Sequence, residues 1–424
     1  MERGFYTIMT AQFFSSLADN ALLVIAIALL IDLHAPAHLT PILKFVFVLF
    51  YVILAPFVGA FADSMPKSRV MFVSNSIKVI GCGLLFLAAH QYSALAAYAV
   101  VGLGAAAYSP AKYGILTELL PPEKLVIANG WIEGLTVASI VLGTVLGGTL
   151  ITPSVANALL SFDLPLIDTG IDNFIESSIL IVAILYVIAA IFNLYIPNTG
   201  VDHRLPNKNP LFLIHEFGHC LKLLWTDKLG QISLAVTTLF WGAGATLQFI
   251  VLKWAEAALN YPLNQAAQLQ GVVALGIAVG AVLAARWISL RQSVQVIPLG
   301  IAMGIVVMIM ITVTNLWIAI VLLMIIGALA GFFVVPMNAL LQHRGHILMG
   351  AGHSIAVQNF NENLSILTML SVYALLVWFE VHIYVVIVAF GLFVSITMAL
   401  IRKWHLLNQS KQDSLHLIGE KKAH

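Results

Sequence analysis

One short stretch of the sequence carries a residue pattern known from zinc chemistry. Residues 210–225 read PLFLIHEFGHCLKLLW and contain His215, Glu216 and His219 in the order His-Glu-x-x-His. On a helix this spacing places the two imidazoles one turn apart, where they can bind a zinc ion whose water Glu216 could deprotonate. The pattern taken alone is typical of a metalloprotease.

The same residues also fit the polar face of an amphipathic helix. On a helical wheel one polar stripe contains His215, Glu216, His219 and Lys222. The remaining, apolar positions are Phe212, Ile214, Phe217, Leu221, Leu224 and Trp225. The chain has no Leu-Asp-Gly segment or other clear third ligand of the kind that membrane-embedded zinc proteases use. The sequence therefore favours an amphipathic helix on the inner membrane face, with no metal or cofactor, and leaves metal hydrolysis as a minor alternative.

Two acidic residues, Asp19 and Glu362, lie inside long apolar stretches, where a charged group costs at least ~2.5 kcal/mol to insert. Each belongs to a polar stripe with helical spacing. These stripes are Gln12, Ser16, Asp19 and Asn20 in one stretch, and Ser354, Gln358, Glu362 and Ser365 in the other. No basic residue lies within one helical turn of either acid. The sequence therefore predicts that both carboxylates face inward at mid-depth and serve a function instead of pairing with a charge.

Polar residues also interrupt two neighbouring apolar stretches. They are Tyr108, Lys112 and Tyr113, around Pro110, and then Asn129 and Glu133. Lys112 could contact an anionic ligand, or Lys112 and Glu133 could pair with nearby charges and close the helix ends. The sequence leaves these two interpretations open.

The amino-acid composition indicates whether the elements that position these residues fold in water or in a lipid bilayer. Only 9% of the 424 residues are Asp, Glu, Lys or Arg, 61% are apolar, and the mean hydropathy is +0.99. Soluble domains carry about 25% charged residues, so this chain is a membrane protein with room for about a dozen spans of ~20 residues. Cys82 and Cys220 are too few for a disulfide framework. The first apolar stretch is interrupted by Asp19. We interpret it as a transmembrane span and not as a signal peptide that is cleaved off.

Long apolar runs separated by polar, Gly- or Pro-containing turns predict an all-α protein of twelve transmembrane helices. They are expected near 6–31, 43–64, 69–89, 94–119, 125–151, 176–197, 229–252, 266–288, 294–313, 316–340, 352–378 and 382–403. With both termini inside, only Lys44 and Lys253 of the 20 Lys and Arg residues fall on the outer side. The positive-inside rule therefore predicts cytoplasmic termini.

A constant shift of about 226 residues relates the two halves of the chain. FFSSLADNAL matches FWGAGATLQF, and GLGAAAYSPAKYGIL matches GALAGFFVVPMNALL, with Pro110 opposite Pro336. This pattern predicts two six-helix pseudo-symmetric halves of the kind found in duplicated transporters. The predicted organisation is a first half at 1–199, a cytoplasmic linker with an amphipathic helix at 200–228, a second half at 229–404 and a cytoplasmic tail at 405–424.

The loop after the second predicted helix reads GAFADSMPKSRV and places Gly59, Asp63, Lys67 and Arg69 at the spacing Gly-x-x-x-Asp-x-x-x-basic-x-basic. A carboxylate and neighbouring cations here can bridge helix ends at the inner surface, where a change of packing makes or breaks the contact. We therefore expect these four residues to take part in gating. Ordinary topogenic positive charge is the alternative explanation.

Five segments together resemble the bacterial lysophospholipid transporters of the major facilitator superfamily. They are AQFFSSLADNALL, GLGAAAYSPAKYGIL, LFWGAGATL, GFFVVPMNALLQ and AVQNFNEN, and they run from the first to the eleventh predicted helix. The resemblance implies a flippase that moves lysophospholipids, notably lysophosphatidylethanolamine, from the outer to the inner leaflet of the bacterial inner membrane. It also implies a functional partner, an acyltransferase/acyl-carrier-protein synthetase, which re-acylates the lipid.

The resemblance implies that Asp19 and Glu362 correspond to the acidic residues of the family. Gln248 occupies the position at which the family has a basic residue. The candidate substrate contacts are Asp19, Asn20, Lys112, Tyr113, Gln248, Gln358 and Glu362. The two acids would pair with the ammonium of the lipid while Lys112 or another cation meets its phosphate. Lys253, five residues after Gln248, is a substitute cation if it is not simply an interfacial anchor.

Membrane lipids and the substrate are the expected partners, and no nucleic acid is expected. The absence of a phosphate-binding Gly-rich loop argues against direct use of ATP. A proton-coupled exporter of drugs or small polar solutes would share the same fold and loop signature, and it remains the main alternative.

Overall fold

The structure of the protein is a computed structural model that describes residues 3–35, 39–152, 155, 173–200, 209–261, 263–411 and 418. Within these ranges the regular elements are α-helices and short 3₁₀ turns. In chain order the α-helices are α1 (Arg3–Asp32), α2 (Leu39–Ile53), α3 (Ala55–Asp63), α4 (Lys67–Phe86), α5 (Gln91–Leu119), α6 (Leu125–Leu150), α7 (Phe174–Leu194), α8 (Pro210–Thr226), α9 (Gly230–Leu259), α10 (Leu263–Trp287), α11 (Ile297–Ile309), α12 (Leu316–Met349), α13 (Ala351–Trp378) and α14 (Ile383–Lys411).

Eleven helical segments of the described chain are long and apolar enough to cross a membrane, and the number is twelve if α2 and α3 form one bent span. The helix predicted near 43–64 is divided into two helices, since α2 and α3 meet at an angle of 63°. Pro56 lies in the first turn of α3. Since proline has no N–H and its ring clashes with the carbonyl four residues earlier, a continuous helix is interrupted here.

The helix bounds follow the shift of 226 residues that the sequence predicted. Adding 226 to the bounds of α1, α5 and α6 gives 229–258, 317–345 and 351–376, which are close to the bounds of α9, α12 and α13. Pro110 and Pro336 both lie inside their helices, α5 and α12. The all-α prediction is confirmed, and these bounds are consistent with two pseudo-symmetric halves.

The chain divides into two compact units, Met1–Leu119 with Ala138–Ile214, and Leu120–Val137 with His215–His424. In the first unit α1 packs on α7, and α4 packs on both α5 and α7. In the second unit α10 packs on α12, α11 on α14, and α9 on α13. Helix α6 contributes its first half to the second unit and its second half to the first unit.

Small residues on α6 allow its second half to lie against α1 in the first unit. A Cβ atom added at Gly143 would lie 2.6 Å from the carbonyl oxygen of Leu17, and one at Gly147 would lie 2.7 Å from that of Ala21. Both distances are shorter than van der Waals contact. The Gly-x-x-x-Gly spacing therefore brings the two backbones together, as small residues do in membrane helix pairs.

Candidate functional site

The first unit contains a buried ion pair between α1 and α4. The ammonium of Lys78 lies 2.8 Å from both carboxylate oxygens of Asp19. The lysine side chain is 1% exposed, whereas that of Asp19 is 24% exposed. The lysine therefore contacts the carboxylate on its buried side, and the other side of Asp19 remains accessible.

Aromatic rings complete the surroundings of this ion pair. The hydroxyl of Tyr186 on α7 donates to Oδ1 of Asp19 at 2.7 Å. The Lys78 ammonium lies 5.1 Å from the ring centroid of Tyr108 and 5.2 Å from that of Tyr186, within the range of cation–π attraction. The buried hydroxyl of Tyr108 has no hydrogen-bond partner among the described groups. The site thus combines the partly exposed carboxylate of Asp19 with the nearby hydroxyl of Tyr108, which makes no hydrogen bond to the described groups.

Ser15 and Asn75 extend the polar network behind the lysine. Lys78 donates to Oγ of Ser15 at 3.1 Å, and Ser15 donates to Oδ1 of Asn75 at 2.8 Å. All three side chains are buried. This arrangement fixes the ammonium in position, because a lysine that moved would lose three hydrogen-bond acceptors at once.

The expectation that Asp19 has no charged partner is wrong. The spacing of residues along α1 shows only cations within one turn of the same helix, whereas Lys78 lies 59 residues away on α4. Lys78 and Tyr186 were both missed. A lysine within the apolar stretch of α4 was the available signal, since an ionisable residue inside a span requires a partner.

Three further candidate residues belong to the first unit. Asn20 donates from Nδ2 to the carbonyl of Ser16 at 2.8 Å, so part of its amide is satisfied by its own helix. Lys112 and Tyr113 are half-buried neighbours on α5, and the ammonium lies 4.2 Å from the tyrosine ring centroid. This ring therefore attracts the lysine charge two residues after the proline of α5.

The second unit contains a cluster of amides around Glu362. Gln358 donates from Nε2 to Oε1 of Glu362 at 2.7 Å and to Oδ1 of Asn338 at 3.0 Å. The glutamate is only 6% exposed. The predicted pair Gln358 and Glu362 is thus brought together, and Asn338 on α12 is an addition. Its position corresponds to Lys112 under the shift of 226 residues, since each follows the helix proline by two residues.

Gln248 lies on α9 at the edge of a cavity in the second unit. Gln270 on α10 donates from Nε2 to the backbone carbonyl of Gln248 at 2.5 Å. Lys253 lies farther along α9, where its ammonium pairs with Glu256 at 2.8 Å and its side chain is 57% exposed. The substitute cation proposed from the sequence therefore has an acidic neighbour of its own.

The residues of the predicted gate lie at the junction of α3, α4 and α5. Lys67 donates to Oδ1 of Asp63 at 2.6 Å and to the carbonyl of Ala62 at 2.7 Å. Its ammonium is also 3.4 Å from Oε1 of Glu118 at the end of α5. Gly59 is buried and Arg69 is exposed. A single buried lysine therefore ties together three helix ends.

A second charged junction lies in the second unit. The guanidinium of Arg344 contacts both oxygens of Asp227, with Nη2–Oδ1 at 2.8 Å and Nε–Oδ2 at 3.2 Å. Asp227 also accepts from the backbone N–H of Gly230 at 2.7 Å, at the start of α9. This bidentate contact connects the end of α12 to the segment between α8 and α9.

The linker helix α8 packs on the second unit through one face. Phe217 forms an edge-to-face contact with Phe360, with ring centroids 5.5 Å apart. Trp225 donates from Nε1 to Oδ1 of Asn361 at 3.3 Å and stacks on Trp404. Part of the predicted apolar face is not covered, since Phe212 is exposed, as are Leu211 and Ile214.

The His-Glu-x-x-His residues lie on the other sides of α8. His215 and His219 are exposed, and Oε2 of Glu216 is 3.8 Å from Nε2 of His353. Across the described residues, no three His, Cys, Asp or Glu side chains converge to hold a metal ion. The arrangement is that of a polar helix face.

Comparison with known proteins defines the class. The sequence model of the Major Facilitator Superfamily matches residues 8–364. Among solved structures, the fold resembles a bacterial homologue of the iron transporter ferroportin, with a TM-score of 0.70 at 14% identity, over 96% of this chain and 100% of the other. It also resembles the transporter FucP, with a TM-score of 0.72 at 11% identity, over 95% and 98%. The chain belongs to the Major Facilitator Superfamily.

Curated relatives narrow this class to one family. The chain is 39% identical to the lysophospholipid transporter LplT of Photorhabdus laumondii over 406 residues, which is 96% of each chain. It is 42% identical to LplT of Serratia proteamaculans over 89% of each chain. It is 41% identical to LplT of Yersinia pestis over 89% of this chain and 87% of the other. Within the superfamily, the chain therefore belongs to the family of these LplT transporters.

Proposed function

We propose that this protein transports lysophospholipids, such as lysophosphatidylethanolamine, from the outer to the inner leaflet of the bacterial inner membrane. The observation that carries the proposal is the buried Asp19–Lys78 pair, which presents one side of a carboxylate inside an apolar helical unit. The names of the curated relatives supply the substrate class. A zwitterionic head group joined to an apolar chain matches such a site, because it carries a cation for the carboxylate and needs little other polar surface.

Asp19 is the proposed contact for the ammonium of the lipid. Lys78 pairs with this carboxylate and orients it, while the accessible side of Asp19 receives the ligand. The hydroxyl of Tyr108 is a further donor or acceptor for the head group. Lys112 is the proposed contact for the phosphate, because it is the half-buried cation that follows the proline of α5.

In the second unit Glu362 and Gln358 are proposed as polar contacts for the same head group. Their mutual hydrogen bond and the bond from Gln358 to Asn338 order the amide before the ligand arrives. Pre-ordering reduces the entropy that binding would otherwise cost. Gln248 is proposed to donate a hydrogen bond to the phosphate only in transit, and Asn20 and Tyr113 contribute smaller polar contacts.

The proposal also includes the orientation of the protein in the membrane and its functional partner. The distribution of Lys and Arg supports a cytoplasmic location for both termini. Transport then delivers lysophospholipid to the cytoplasmic leaflet, where an acyltransferase with acyl-carrier-protein synthetase activity would restore the missing chain. We infer that the protein itself is a transporter and not an enzyme. Opening and closing would make and break the Lys67 contacts with Asp63 and Glu118.

The test is transport of labelled lysophosphatidylethanolamine in proteoliposomes that contain the purified protein. Lipid left in the donor leaflet is extracted with albumin, and the protected fraction is measured over time. Asp19→Asn should lower the rate at least tenfold, because a neutral amide cannot pair with the ammonium. Asp32→Asn is the matched control, since Asp32 is an exposed acid at the end of the same helix.

Wild-type protein that moves no more lipid than empty liposomes would contradict the proposed substrate. Equal rates for Asp19→Asn and wild type would show that Asp19 does not contact the head group. A loss of transport in both Asp19→Asn and Asp32→Asn would indicate a general effect of charge on α1.

A further inference from the structure

The second unit contains an apolar cavity whose only lining residue with a role proposed above is Gln248. It has a volume of about 70 Å³ and lies among α9, α10, α11, α12 and α14. Its walls include Leu247, Val273, Met303, Ile326 and Phe390, and the polar side chains among its described lining residues are those of Gln248 and Gln270. None of the described residues that line it is charged.

We propose that this cavity holds the end of the acyl chain of the transported lipid and thereby selects chain length. The inference rests on the proposed function, because it assigns the tail of the same substrate. An apolar cavity with few polar atoms excludes the charged head group, since an unpaired charge there would lose its hydration. A cavity of ~150 Å³ with similar walls binds benzene, so about half that volume suits a few methylene groups.

Distances along α12 support the placement of the tail. Asn338, which belongs to the Glu362 cluster, follows Ala330 and Ile326 of the cavity wall by 8 and 12 residues. At a rise of 1.5 Å per residue, the cavity begins ~12 Å and ends ~18 Å from the polar cluster. One leaflet of a bilayer core is ~15 Å thick, which is the reach of one acyl chain. A head group at Glu362 therefore has the cavity within the reach of its acyl chain.

Gly244 is the position in the cavity wall that allows the sharpest test. A Cβ atom added at this glycine meets no atom within 4 Å. A leucine side chain at this position therefore fits without displacing the backbone and occupies space in the cavity. Met303 on α11 offers the opposite change, because its truncation enlarges the same cavity.

The experiment measures binding and transport of lysophosphatidylethanolamines with chains of 12 to 18 carbons. For Gly244→Leu we expect the preference for 18 over 12 carbons to fall about tenfold, because two buried methylene groups lose their site. Met303→Ala should shift the preference toward longer chains. Gly83→Leu is the matched control, since Gly83 on α4 is also exposed, with no atom within 4 Å of an added Cβ.

An unchanged chain-length preference in Gly244→Leu, or an equal loss for all chains, would overturn the assignment of the cavity. A shift in Gly83→Leu as large as that in Gly244→Leu would do the same. Binding is measured in detergent and does not require transport. Chain-length-dependent binding without transport by the wild type would contradict the proposed function and leave the cavity assignment supported.

Discussion

Replacing Lys78 with methionine should destabilise the protein strongly, because it leaves the Asp19 carboxylate without its cation. Methionine keeps the unbranched shape of lysine and removes the charge. The substitution deletes two contacts of 2.8 Å to Asp19, while the hydrogen bond from Tyr186 remains. We therefore expect an effect that is specific to charge and not to packing.

The magnitude follows from the burial of the pair. Removing one partner of a buried ion pair typically costs about 3–5 kcal/mol. The lower end applies here, because Asp19 keeps one donor and its side chain is 24% exposed. We expect a loss of about 3 kcal/mol in the free energy of unfolding. Adding Asp19→Asn to Lys78→Met should regain about 2–3 kcal/mol of this loss, and the coupling energy is at least that large, because it also contains the cost of Asp19→Asn alone.

The assay is reversible unfolding in mixed micelles of wild type, both single variants and the double variant. Lys222→Met is the control, because Lys222 is an exposed lysine on α8. A coupling energy below about 0.5 kcal/mol would refute the reasoning, since independent sites add within that margin. It would show that Asp19 and Lys78 contribute independently to the free energy of unfolding.

Three more predictions concern other contacts. Arg344→Gln should lower the melting temperature in detergent, because the partly buried Asp227 loses its bidentate partner, and Asp227→Asn in the same chain should restore it. Asn129→Leu should cost about 1–3 kcal/mol of unfolding free energy, because the buried amide of Gln342 loses its reciprocal hydrogen bonds, and adding Gln342→Met should recover most of this loss. His215→Ala should leave lipid transport unchanged, and elemental analysis of wild type should find no stoichiometric zinc; bound zinc that disappears with activity in this variant would contradict the polar-face interpretation.

Local patterns in the sequence account for most of the fold. Apolar stretches of about 20 residues identify the spans without any knowledge of their neighbours. The bend between α2 and α3 was missed because hydropathy does not report helix direction, although Pro56 marks the position. The hydrogen bond between Gln358 and Glu362 was accessible because the two residues are four apart on one helix.

The partners of Asp19 could not be obtained in the same way. A helical wheel shows which residues share a face, but it does not show which faces of different helices meet. Lys78 and Tyr186 reach Asp19 from α4 and α7, and these contacts depend on the packing of three helices. Asn338 was not predicted for the same reason, since its contact with Gln358 joins α12 to α13.

The long sequence separation within the Asp19 site imposes an order on biosynthesis. Lys78 follows Asp19 by 59 residues and Tyr186 follows it by 167. At synthesis rates of 5–20 residues per second, the lysine emerges ~3–12 s and the tyrosine ~8–33 s after the aspartate. The nascent α1 must therefore enter the bilayer with an unpaired acid and rely on its apolar residues to offset a cost of about 2.5–3.5 kcal/mol. The arrival of α4 neutralises that charge, and the arrival of α7 completes the site, so the first helix reaches its final environment only after the sixth predicted span has been made.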